Sequence, residues 1–140
     1  MTQENKQLLL KDLCARLPYW VKVKVRYYYE YEDGTFKKYN EIKYFDAEIL
    51  DLLISGDRSL DDIKPYLRPM SSMTKEEEQE YRSLCAMQFD ELTDANTTIY
   101  YFDTIESFDW LNAHHFDYRG LIEKVLAIEA PEGMYDIKDK

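Results

Sequence analysis

The densest chemistry in this 140-residue chain is the run His114-His115-Phe116-Asp117-Tyr118-Arg119, with two imidazoles, a carboxylate and a guanidinium side by side. Two His and one Asp are three ligands of a metal site with an open fourth position. Adjacent His residues leave a regular helix in different directions, however, and the chain has only these two His. The run therefore reads as a structural corner at a helix C-terminus, where the partial negative charge of the carbonyls favours an imidazole. Asp117 and Arg119 are expected to pair across the turn before Gly120. No metal and no cofactor is expected.

Nucleophilic chemistry has less support. Cys14 and Cys85 fall on apolar helical stripes, so both are expected reduced, buried and unbridged. No GxSxG elbow occurs. Gly34, Gly56, Gly120 and Gly133 lie too far apart to form a phosphate-cradling loop. The chain is not expected to be an enzyme, and no catalytic residue is assigned.

The remaining candidate is a surface. Lys22, Lys24 and Arg26 alternate with Val21, Val23 and Val25, and Tyr28 follows on the charged side, with Lys37, Lys38, Tyr39 and Lys43 nearby. Such a stripe can follow a phosphate backbone while tyrosines stack on bases. It can equally meet a protein, since Tyr gives large contact area at low entropic cost. Overall charge favours the protein. Lys and Arg number 18 against 28 Asp and Glu, net −10. Residues 1–44 carry nine Lys/Arg and six Asp/Glu, so the deficit lies wholly in 45–140. Nucleic-acid affinity depends on cations displacing counterions, so nucleic acid is not the expected partner of the whole surface.

These residues need elements to position them. The 45% hydrophobic and 33% charged composition is that of a folded domain, and 140 residues make one domain, with lobes 1–70 and 71–140. Leu9, Leu10, Leu13, Cys14 and Leu17 predict a helix over 3–17, stopped by Pro18. Strict alternation from Val21 to Tyr31 predicts a long antiparallel strand with Val21, Val23 and Val25 buried and the cations exposed. Asp33-Gly34 predicts a two-residue hairpin turn with positive φ at both positions. Residues 46–54 read as a third strand, and KPYLRPMSSM, with Pro65 and Pro69, as a rigid connector. Thr74 and Glu77 form a capping box opening a helix to about residue 92. TDANTT reads as a loop and IYYF at 99–102 as a short strand. Asp103 and Glu106 cap another helix bearing Ile105, Phe108, Leu111 and His115. LIEKVLAIEA is a strand or a short helix.

The fold expectation is α+β. An N-terminal helix lies on a twisted antiparallel meander of three to four strands, with SH3-like shape as one option. A helical C-terminal lobe with one short strand follows. The first residues are polar and no apolar run exceeds four residues, so a cytoplasmic chain without membrane contact is expected.

Three segments carry a family resemblance: LLLKDLCARLPY at 8–19, DDIKPYLRPMSSMT at 61–74, and SFDWLNAHHFDYRGLI with APEGMY at 107–122 and 130–135. Together they resemble a family of small uncharacterised proteins of gut bacteria, often encoded in prophages and other mobile elements. The resemblance implies a fold and a genomic setting and assigns no activity. One position departs from it: Trp20 stands where a Gly is expected after LPY, so the turn into the first strand must accommodate a bulky residue.

The functional expectation is a non-enzymatic accessory or interaction protein of a mobile element that binds another protein. A nucleic-acid-binding module using the basic hairpin is the alternative. A third reading is an acidic decoy that imitates a phosphate backbone and inhibits a host defence factor.

Overall fold

A computed structural model describes residues 1–92 and 96–135, with backbone alone for 89–92 and 96–98. The α+β class holds: an N-terminal helix covers a curled, mixed four-stranded sheet, with further helices beside it.

Helix α1 spans Gln3–Arg16, and the Thr2 hydroxyl caps it by accepting from the Asn5 amide at 3.1 Å. Its inner face is Leu9, Asp12, Leu13 and Arg16. Cys14 is exposed, against expectation. The apolar stripe misplaced the face because Asp12 and Arg16 neutralise each other and go inside, rotating Cys14 out. A 3₁₀ turn at Leu17–Tyr19 follows, and Trp20 closes it in the left-handed region at φ 59° and ψ 43°. The turn does hold a bulky residue where Gly is the usual solution.

Strands β1 (Lys22–Glu30) and β2 (Phe36–Tyr44) pair antiparallel over nine residues each. Val21, Val23 and Val25 are fully buried, as the alternation predicts. Lys22, Lys24 and Arg26 are half-buried rather than exposed, because β1 is an interior strand with neighbours on both sides. The turn also differs from expectation. Tyr31 accepts from the Gly34 amide and donates to the Thr35 carbonyl, so a longer loop forms in which only Gly34 takes positive φ. Asp33 instead uses its carboxylate to accept from the Thr35 amide and hydroxyl.

Residues 46–54 form helix rather than strand. Asp46 caps α2 (Ala47–Ser55) by accepting from the Ile49 amide at 3.0 Å, and Gly56 ends it at φ 86°. The third strand comes from the expected connector: β3 (Ile63–Leu67) pairs antiparallel with β1. Pro65 concealed it, since proline seldom sits inside a sheet. Here β3 is paired with β1 only over 63–65 and with β6 (Ile128–Glu129) only over 66–67, in parallel. The sheet order is β2-β1-β3-β6. Its inner face packs Val21, Val23, Val25, Ile63 and Leu67 with Leu9 and Leu13 of α1 and Ile49 of α2.

Thr74 and Glu77 do make a capping box, but α3 (Lys75–Leu84) stops at Cys85, whose extended backbone starts β4 (Ala86–Leu92). Cys85 is half-buried. The assignment to residue 92 failed because Cys85 and Phe89, four apart, fit either period. Strand β5 (Asn96–Phe102) returns antiparallel to β4, so the IYYF strand extends back into the expected loop, of which 93–95 lie outside the described residues. Helix α4 (Ile105–Ala113) is capped by Thr104 and Ser107 rather than Asp103 and Glu106. Trp110 and Leu111 face inward and join Phe116 in a second core. Ile105 is exposed, and His115 lies beyond the helix. Among the described residues, no helix is long and apolar enough to cross a membrane.

Candidate interaction face

Strand pairing decides which side chains share a surface. Lys22 stands opposite Tyr44, Lys24 opposite Ile42, Arg26 opposite Asn40 and Tyr28 opposite Lys38. On the other side of β1, Lys24 stands opposite Lys64. Because side chains of paired residues point to the same side of a sheet, all of these lie on the face opposite the valine core. The expected residues Lys22, Lys24, Arg26 and Tyr28 are therefore brought together. Lys38 joins them, whereas Lys37 and Lys43, paired with Tyr29 and Val23, belong to the other face.

Aromatic and apolar groups are interleaved with the cations. The Lys22 ammonium lies 5.5 Å from the Tyr44 ring centre, and Lys38 lies 5.8 Å from that of Tyr28. Trp20 meets Tyr44 edge to face at 5.8 Å. Trp20 is 67% exposed, Ile42 56% and Phe36 65%, so a stripe of apolar surface runs along the cations. The half-buried lysine stems fit this arrangement, with alkyl chains packed and charged ends out. Glu30 is the single carboxylate among the paired β1 and β2 residues of this face. Asp62 reaches it from below by accepting the Tyr28 hydroxyl at 3.0 Å.

Sequence reasoning missed Trp20, Ile42, Tyr44 and Lys64. Ile42 and Tyr44 needed the hairpin register, which the Asp33-Gly34 assignment left out of step, and Trp20 joins the face through its contact with Tyr44. Lys64 needed β3 to be a strand.

At one end the face meets the segment Pro131–Tyr135. The Lys22 ammonium donates to the Met134 carbonyl at 3.1 Å. The Tyr135 hydroxyl accepts from the Lys22 amide at 2.7 Å and donates to the Tyr66 carbonyl at 2.8 Å. The β1–β3 ladder ends at Val23 and Pro65, so the hydroxyl stands between the next two opposed residues. Burial pushes the Tyr135 phenol well above its ordinary value, so it remains a donor. Two clefts flank the segment. One, of about 550 Å³, lies against Lys22, Ile42, Lys43 and Tyr44; the other, of about 510 Å³, lies against Arg68, Ser72 and Thr74.

The second candidate region, His114 to Arg119, is a corner with different partners from those expected. The His114 ring stacks on Trp110 at 4.0 Å, with its Nδ1 2.9 Å from the Trp110 carbonyl. His115 takes φ 65° and stacks on Tyr135 at 3.8 Å. The two imidazoles thus serve two different aromatic contacts. Asp117 and Arg119 do not pair. Asp117 accepts from the Leu121 and Ile122 amides at 2.8 and 2.9 Å, capping the following turn. Arg119 instead reaches Asp12 of α1 at 2.9 Å. Asp12 was taken because it is fully buried and already faces Arg16, which bonds it twice, at 2.8 and 3.1 Å. Arg16 also donates to the Phe116 carbonyl at 2.6 Å. Among the described residues, no group of three or more His, Cys, Asp or Glu is placed to hold a metal ion.

No known protein family, no curated protein and no solved structure matches the chain.

Proposed function

We propose that the protein is a non-enzymatic interaction module, and that its outer sheet face binds an acidic, extended segment of another protein. The observation that carries this reading is the convergence of Lys22, Lys24, Arg26, Lys38 and Lys64 on one face, interleaved with Tyr28, Ile42 and Tyr44. Exposed Trp, Tyr and Phe beside Arg and Lys stems is the composition of an interface core with a charged rim. Between polyanions, charge distribution favours a short acidic segment over nucleic acid. A nucleic acid is charged along its whole length and would run off the face onto a protein of net −10. A peptide confines its charge to the face.

The test is an NMR titration of backbone amides with a mixed glutamate–tyrosine peptide, paralleled by oligothymidylate at physiological salt. Supporting shifts fall on residues 22–28, 38–44 and 64, and disappear when Lys22, Lys24 and Arg26 become Glu. Oligothymidylate binding that weakens steeply with salt and vanishes in the same variant would establish the nucleic-acid reading instead. Peptide shifts centred elsewhere on the surface would remove this face as the site.

A further inference from the structure

Strands β4 and β5 form a sheet of their own, paired with each other and, among the described residues, with no other strand. They leave the body between α3 and α4, where the Thr104 hydroxyl donates to the Leu84 carbonyl and Tyr81 donates to Asp103. Among the ribbon side chains described, both faces are open to solvent, with the Arg82 guanidinium 5.1 Å from the Tyr101 ring centre at the base. Met87, Ile99, Tyr100, Tyr101 and Phe102 are each between 44% and 55% exposed. A two-stranded ribbon is marginally stable in water by itself, and it gains from a further strand.

Charge shows which edge is open to one. Natural sheets protect free edges with charged residues. Edge strand β2 carries Lys37, Lys38 and Lys43, β4 carries Asp90 and Glu91, and β6 carries Glu129. Among the described strands with a free edge, β5 alone has no charged residue, with the sequence NTTIYYF. It is also rich in β-branched and aromatic residues, with no Gly or Pro to interrupt pairing.

We infer that β5 pairs antiparallel with β5 of a second copy of this chain, joining two ribbons into a four-stranded sheet of order β4-β5-β5-β4 about a two-fold axis. An uncharged edge suits a second copy, because identical strands meet there without repulsion. With the axis at Ile99, Tyr100 falls opposite Thr98 and Tyr101 opposite Thr97, so no like charges meet. The acidic β4 strands end at the outer edges, three strand spacings or about 14 Å apart, beyond the Debye length of about 8 Å at physiological salt. Joining through β4 would instead set Asp90 and Glu91 of two copies on neighbouring strands. The same arithmetic limits the strength. One seven-residue edge covers less than the roughly 800 Å² per partner of a standard interface, so the dimer forms at micromolar concentrations and above. This surface is separate from the outer face of β1 and β2.

Sedimentation velocity over a concentration series, with amide hydrogen exchange at its two ends, tests the inference. The expected result is reversible growth that stops at twice the monomer mass, with protection rising across 96–102. Ile99→Lys, at an exposed mid-strand position, is expected to raise the dimer dissociation constant roughly tenfold or more by setting like charges opposite one another. Ile42→Lys, on the other exposed face, is expected to leave it unchanged. Should Ile99→Lys be unfolded by circular dichroism, Tyr101→Lys on the same ribbon face is read in its place. A wild-type chain that stays monomeric across the series would overturn the inference. So would a dimer lost in Ile42→Lys but kept in Ile99→Lys, or growth that passes the dimer without a plateau.

Discussion

Asp12 and Arg119 stand 107 positions apart in the chain and 2.9 Å apart in the fold. Asp12 is fully buried, and its second partner, Arg16, is fully buried too. Two guanidiniums on one carboxylate tie α1 to the corner after α4, and Arg16 and Arg119 both lie over the Tyr118 ring. Removing the carboxylate leaves buried positive charge uncompensated. Asp12→Ala is expected to cost about 3–5 kcal/mol, measured by urea unfolding. The triple change Asp12→Leu, Arg16→Met, Arg119→Met is expected to recover most of that loss, because desolvating the charges is itself expensive. A triple variant no more stable than Asp12→Ala alone would contradict this account.

Acid should loosen the Arg68–Glu77 pair. Arg68 grips Glu77 at two points, 2.7 and 2.8 Å, while its guanidinium lies 4.1 Å from the Phe116 ring centre. Burial pushes the Glu77 carboxyl up, but hydrogen bonds from Arg68 and Thr74 outweigh it and hold the group below its ordinary value of 4.5. A depressed folded value stabilises the protein above the unfolded value, and that contribution is lost as pH falls through the folded one. Glu77→Gln is therefore expected to melt lower than wild type at neutral pH. Below about pH 4.5 the gap between the two is expected to narrow. Thermal melts from neutral to acid pH decide it, and a constant gap would count against the pair.

Trp20 holds a left-handed backbone at φ 59°, a conformation that costs a non-glycine residue about 1–2 kcal/mol. Its ring is mostly exposed and touches Tyr44 edge to face. Trp20→Gly removes the strain and loses little packing, so a gain of about 1 kcal/mol is expected in chemical denaturation. The same variant should weaken binding at the outer sheet face, because Trp20 borders it. Stabilisation without weakened binding would exclude Trp20 from that face.

Cys14 is exposed and Cys85 half-buried. A water-soluble thiol reagent is expected to label Cys14 at once in the native protein and Cys85 more slowly. Equal rates would mean that α1 is rotated from the position described.

The features legible in the sequence were local ones. Val21, Val23 and Val25 announced β1 through alternation alone, and Thr74 with Glu77 announced the start of α3. That Trp20 takes a left-handed conformation was shown only by the fold. The features that stayed hidden depend on distant partners. Nothing near Pro65 shows that β1 stands beside it, so β3 read as a connector. Asp12 and Arg16 lie inside because each has the other, and Arg119 could not be assigned to Asp12 over Asp117 without the fold. Half of the candidate face was readable for the same reason: Lys22, Lys24, Arg26 and Tyr28 share one strand, while Ile42, Tyr44 and Lys64 join them only through register.

The Tyr135 hydroxyl, set between Lys22 and Tyr66, has a consequence for how the chain matures on the ribosome. Lys22 waits for a residue 113 positions downstream, and β3 waits for β6 at 128–129. The hairpin of β1 and β2 can close early, since its contacts are near neighbours. The seam between β1 and β3 cannot be completed until residue 135 has cleared the exit tunnel. Contacts spanning so much sequence form slowly because a long loop must close first. An N-terminal half that has emerged alone therefore presents an unfinished sheet edge beside Lys22, at the end of the cationic face. Released chains truncated before residue 128 should be more susceptible to protease within 60–70 than the released full chain.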